Sequence, residues 1–118
     1  MYRYIVAIYL RLSVDDKRVE SMSIESQRLL LRKYAEILGD NVEIIEYVDN
    51  GYSGTNFERP AVQQLLTDVK TYKVNCILVK DFSRFGRNSI EVGYFTQQIF
   101  PLFGVRFISV SDNYDSDE

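Results

Sequence analysis

Seven consecutive residues, Tyr4 to Leu10, are apolar without interruption. A run this short, rich in Ile, Val and Tyr and lacking alternation, reads as a strand buried on both faces. Such a strand needs helices above and below it. Arg11 and Ser13 then follow where the strand should leave the sheet. In an open α/β sheet, the crevice beyond the carboxyl ends of the strands is where ligands bind. The first strand therefore offers a hydroxyl and a fixed positive charge to that crevice. Taken alone, the triplet reads more readily as a solvated arginine beside a capping serine; the rest of the sequence reverses that reading.

The rest of the chain supplies the cover. Ser23 is a plausible N-cap, with Glu25 in the first turn, and Leu30, Leu31, Tyr34, Ala35 and Leu38 recur at helical spacing up to Gly39. Val42 to Val48 reads as a second strand, and Asp49 to Gly54 as a loop of turn formers. Pro60 suits the first turn of a second helix, with a buried stripe at Val62, Leu65, Leu66 and Val69. Cys76 to Val79 is a third strand, followed by a basic loop, Lys80 to Asn88, with room for a short helical turn. Ser89 to Phe100 reads as a helix ended near Pro101, and Val105 to Val110 as a fourth strand. The acidic tail is expected to be exposed and mobile. The order β-α-β-α-β-α-β predicts an α/β fold in three layers: a mostly parallel sheet with helices on both faces, joined by right-handed crossovers. Each polar cluster follows a strand. Arg11 with Ser13, Asp49 with Ser53, and Lys80 with Arg84 and Arg87 should therefore meet on one sheet edge.

Composition narrows the chemistry. The chain has 118 residues, enough for one domain, and 46% are hydrophobic, as in a globular protein. It contains no histidine and one cysteine, Cys76, within an apolar run. That excludes Ser-His-Asp and Cys-His catalysis, a disulfide framework and any ordinary zinc site. No apolar run approaches the roughly 20 residues that span a bilayer, and the start leads straight into a strand. A cytoplasmic protein with no membrane partner is expected. The net charge of −3 argues weakly against nucleic acid. Four of the acids, however, lie in the last seven residues, leaving 14 bases against 13 acids elsewhere.

Several arginines around a hydroxyl suit a phosphodiester. Guanidinium groups pair bidentately with phosphate oxygens and can neutralise a pentacoordinate transition state without a metal. A nearby cation also favours the ionised form of a serine nucleophile. Against this, Arg84 and Arg87 stand at i and i+3 and could be a solvated face paired with surface acids.

Four blocks, in order, resemble the serine recombinase catalytic domain, the resolvase/invertase family. They are Tyr9-Leu10-Arg11-Leu12-Ser13, Ser23-Ile24-Glu25-Ser26-Gln27, Asp49 to Pro60 and Lys80 to Asn88. Their wording, and the ending Asp112 to Ser116, look most like the large serine recombinases of mobile elements. The resemblance implies Ser13 as the nucleophile that attacks a DNA phosphate and holds a phosphoserine link to the 5′ end. It implies Arg11, Arg84 and Arg87 as phosphate-binding arginines. Tyr9, Gln27, Asp49, Ser53, Arg59, Lys80 and Asp81 fall on further active-site block positions, and no metal or other cofactor is implied. One position departs: many small resolvases have an aspartate immediately before the first arginine of the third block, where this chain has Ser83. The carboxylate role passes to Asp81. The family also places further arginines, a long helix for dimer contacts and DNA-binding domains beyond Glu118. The expectation is thus a catalytic core that folds but does not recombine alone. The full-length protein would act on duplex recombination sites, as a dimer and a synaptic tetramer, in integration, excision or transposition. Two rivals remain. One is a receiver-like signalling module, with Asp15, Asp16, Asp49 and Asp81 around magnesium and a phosphoaspartate. The other is a catalytically silent oligomerisation fragment.

Overall fold

A computed structural model describes residues 3–13 and 23–117. Its centre is β1 (Tyr4–Leu12), paired in parallel with β2 (Val42–Asn50) on one side and β3 (Cys76–Val79) on the other. β4 (Arg106–Ser109) pairs in parallel with β3, and β5 (Tyr114–Asp115) closes the sheet antiparallel to β4. The strand order β2-β1-β3-β4-β5 places a switch in winding direction between β1 and β3. Ligands of doubly wound sheets bind at that point, beyond the carboxyl ends.

The apolar run is buried as its composition demands. Alternate side chains serve opposite faces. Val6, Ile8 and Leu10 pack under α1 (Ile24–Glu36) with Leu31 and Ala35. Ala7 and Tyr9 face α2 (Pro60–Lys70), whose Val62, Leu65 and Val69 fill the other core. Beyond the short α3 (Phe82–Phe85), α4 (Ser89–Tyr94) adds Val92 to this second core, together with Phe100 and Phe107.

Two side-chain amides complete β1 where β3 is too short to do so. Asn75 accepts from the Ile5 N–H at 2.8 Å and donates to the Arg3 carbonyl at 2.9 Å, before β3 begins. Gln27 accepts from the Arg11 N–H at 3.2 Å and donates to the Arg11 carbonyl at 2.9 Å, past the end of β3. Each amide pairs with the strand as a neighbouring backbone would.

Five expectations are corrected. Pro101 does not end its helix. α4 runs into a π-helical turn, Phe95–Ile99, and then α5 (Phe100–Leu102), in which Pro101 sits. Proline lacks the N–H of a regular turn, and the widened turn, with Phe100 N–H on the Phe95 carbonyl, accommodates it. Helix α1 stops at Glu36, ahead of Gly39. The second strand extends to Asn50, while the fourth covers only Arg106–Ser109. The acidic tail is not a loose end: Tyr114 and Asp115 form β5, and Arg106 grips both carboxylate oxygens of Asp115. The expected loop from Val14 to Met22, including Asp15 and Asp16, lies outside the described residues.

Candidate active site

Ser13 follows β1 at the switch point and is 7% exposed. The Gly51 N–H donates to the Leu12 carbonyl at 2.6 Å, holding the chain in sheet register up to the serine. Two residues back, the Arg11 side chain is completely buried. Its guanidinium donates to three carbonyls, one from the loop after β2 and two from α3: Tyr52 at 2.9 Å, Ser83 at 2.7 Å and Arg84 at 2.9 Å. Gly54 leaves room for it; a Cβ there would lie 2.9 Å from Arg11 Nη2 and 3.1 Å from the Ser83 carbonyl.

Arg59 repeats the arrangement from the start of α2. It is 2% exposed and donates to Asn56 and Arg84 carbonyls at 2.9 and 3.3 Å, and to the Phe85 carbonyl and the Tyr9 hydroxyl. Its guanidinium also lies 4.9 Å from the Phe57 ring centre, within cation–π range. Tyr9 in turn donates to Asp49 at 2.7 Å. Asp49 accepts the Ala61 and Val62 N–H groups at 2.9 and 3.0 Å, so it caps α2 in place of the N-cap residue Arg59. Burial pushes the Tyr9 phenol pKa up against the opposing charge of Arg59, and the phenol stays a donor to Asp49.

Arg84 lies within α3 and is buried, whereas Arg87 follows the extended Gly86 and is exposed. The two do not share one helical face, contrary to the i, i+3 reading. The Arg87 N–H donates to the Gly54 carbonyl at 2.8 Å, tying the two loops together. Burial, together with the nearby Arg59 and Arg87 guanidinium groups, pulls the Arg11 pKa down to about 10. Four cations from three separated segments thus crowd one sheet edge. Arg11 and Arg59 satisfy their donors on carbonyls and a phenol, which leaves their charge uncompensated by a carboxylate among the described residues. Arg11 and Arg59 are thus buried inside the edge, not at the crevice rim.

The remaining sequence-predicted residues have local tasks. Gln27 supports the Arg11 backbone, as described. Ser53 is exposed and takes the Thr55 N–H at 3.2 Å in a tight turn. Lys80 pairs with Asp81 at 3.1 Å. Asp81 is the N-cap of α3, accepting the Arg84 N–H at 2.9 Å and the Ser83 hydroxyl at 2.8 Å. The Ser83 departure is thus met by a serine that hydrogen-bonds to this carboxylate. Sequence reasoning missed Phe57, whose ring packs on Phe85 at 5.0 Å and closes against Gly86. It also missed Asp112, which accepts the Phe82 N–H at 2.8 Å. Two clefts of about 490 Å³ lie elsewhere. One runs between α3 and α4 and reaches the site only at Ser83 and Arg87; the other is at the amino edge, by Tyr4 and Arg106.

Burial alone would raise the Asp81 carboxyl pKa, but hydrogen bonds from Ser83, Lys80 and the Arg84 N–H outweigh it and hold it below the usual carboxylate value. A carboxyl depressed by folding stabilises the fold above its unfolded pKa, and that contribution is lost as pH falls through the folded value. Thermal denaturation from roughly pH 5 down to 2 should therefore show a flatter acid limb for Asp81→Asn than for the unchanged chain. Parallel limbs would show that this carboxylate contributes nothing.

A family model described as "Resolvase, N terminal domain" matches residues 6–118. The chain belongs to this resolvase family. Among solved structures, the N-terminal catalytic domain of TP901-1 integrase superposes on the resolvase-family chain with a TM-score of 0.83 at 34% identity. That match covers 96% of this chain and 82% of the other. A resolvase family site-specific recombinase from Streptococcus pneumoniae gives 0.77 at 32% identity, over 98% and 78%. A protein of Bacillus subtilis (strain 168) described as a putative DNA recombinase is 30% identical over 82 residues, 70% of this chain. The match takes in 16% of that relative's length. The three-layer fold expected from strand and helix order is the resolvase-like catalytic fold of these serine recombinases.

Proposed function

We propose that this chain is the catalytic unit of a longer site-specific DNA recombinase, in which the Ser13 hydroxyl attacks a DNA phosphodiester. The observation that carries the reading is the cluster of guanidinium groups at the switch point, two residues from Ser13, in which the buried Arg11 and Arg59 have no carboxylate partner among the described residues. Burial first, and then the crowding of cations, depresses the Arg11 pKa, and a phosphate placed at such an edge relieves the crowding. The same positive field lowers the cost of ionising the serine, which no histidine is present to deprotonate. Ser13 Oγ forms a bond to phosphorus, the bond to the 3′ oxygen breaks, and that oxygen leaves with a proton. The product is a 5′-phosphoserine ester, whose energy is kept for rejoining.

The receiver-like rival fits less well. Asp49 caps α2 and Asp81 caps α3, so each carboxylate already has a local task. The test uses the intact recombinase with its target duplex, quenched during cleavage in excess chelator. Peptide mapping should place a nucleotide adduct on Ser13. An adduct on another residue, or a strict need for magnesium, overturns the proposal.

A further inference from the structure

The turn that presents Ser83 and Arg84 is only four residues long, too short to hold its own shape. Its first N–H groups need acceptors from outside. Asp81 supplies one. The second comes from 30 residues away: Asp112 Oδ2 accepts the Phe82 N–H at 2.8 Å. The same oxygen accepts the hydroxyl of Ser109 at 2.7 Å, and Ser109 is fully buried at the end of β4. The surrounding turn is stitched to the end of β3. Val110 N–H donates to the Val79 carbonyl at 3.0 Å, and Ser111 N–H to the Lys80 carbonyl at 2.8 Å. The Phe82 ring lies 5.3 Å from that of Tyr114, on the other side of the same turn. Asn113, at φ 54, reverses the chain between them.

We propose that Asp112, oriented by Ser109, is a positioning residue for the arginine turn: it pins the first residue of α3 and so places the Arg84 side chain at the Ser13 edge. The role in catalysis rests on the phosphate-binding reading above. A carboxylate suits the task because its charge strengthens the bond to an N–H at a helix start. The acidic segment after β4 thereby serves the site from behind, without approaching the substrate.

The test compares the unchanged 118-residue chain with Asp112→Ala, Asp112→Asn and Ser109→Ala, each labelled for nuclear magnetic resonance. Two readouts are taken in the free chain: amide exchange along Phe82–Phe85, and the Arg84 Nε–Hε resonance. A third is titration with inorganic phosphate. Asp112→Ala should speed exchange at Phe82 and Arg84 roughly tenfold, as expected for loss of one charge-assisted hydrogen bond. It should also move the Arg84 resonance and weaken phosphate binding by a similar factor, while β1 and α2 stay protected. Asp112→Asn keeps an acceptor oxygen and should restore much of the loss. Ser109→Ala should act in the same direction but more weakly, and it decides the matter should Asp112→Ala fail to fold. An unmoved Arg84 resonance with unchanged exchange, or exchange that rises equally through the whole sheet, overturns the proposal. Absence of any phosphate response in the unchanged chain instead overturns the phosphate-binding reading, while the free-chain readouts still decide the positioning role.

Discussion

Ser13→Ala should reduce DNA cleavage by the intact recombinase by at least roughly a thousandfold, with little change in the melting temperature of the domain. Among the described residues, removing the attacking oxygen leaves no second nucleophile poised at this edge. Ser53 is on an exposed turn, and Ser83 donates its hydroxyl to Asp81. Cys76 is buried within β3, where burial raises its thiol pKa to about 12, so no thiolate can take over. The fold should survive because Ser13 lies after the last residue of β1, and Gln27 and Gly51 fix the preceding backbone. Cleavage assays on a duplex with the target site, read beside thermal denaturation, separate the two effects. Cleavage at a normal rate by the folded variant would remove Ser13 from the mechanism.

The sheet and its two covering layers were legible because burial on both faces leaves a strong mark. The unbroken apolar run of β1 and the stripe Val62, Leu65, Leu66 and Val69 each demand one environment. Convergence of the polar loops followed from parallel topology alone. The tasks of individual residues were not legible. Tyr9, Asp49 and Arg59 stood in family blocks, and the sequence offered no sign that they bond chiefly to one another and to backbone. An arginine that holds carbonyls and one that holds phosphate look alike in sequence, since both need only a planar fork of donors. The tail misled for a related reason. Its acids suggested exposure and motion, yet Asp115 meets Arg106 and Asp112 meets a backbone N–H, contacts set by β4 returning beside β3. Pro101 likewise reads as a helix end unless the chain can widen one turn.

Arg59 and Arg87 should fail in opposite ways. Arg59→Lys should lower the unfolding free energy by about 3 kcal/mol, which for a domain of this size is a fall in melting temperature of roughly 10 °C or more. A single ammonium cannot reach the Asn56, Arg84 and Phe85 carbonyls and the Tyr9 hydroxyl together, and unmet acceptors in a buried place are costly. Arg87 is exposed, and its backbone N–H donates to Gly54 whatever its side chain. Arg87→Lys should therefore leave the melting temperature within about 2 °C, while cutting cleavage by about a hundredfold, because a point charge cannot copy a bidentate grip on phosphate. Melting curves and cleavage rates for both variants check the division. If Arg59→Lys melts like the unchanged chain, the buried arginine is not holding the loops together. If Arg87→Lys cleaves at the normal rate, its guanidinium is a solvated charge and the phosphate must be gripped by Arg84 and its neighbours alone.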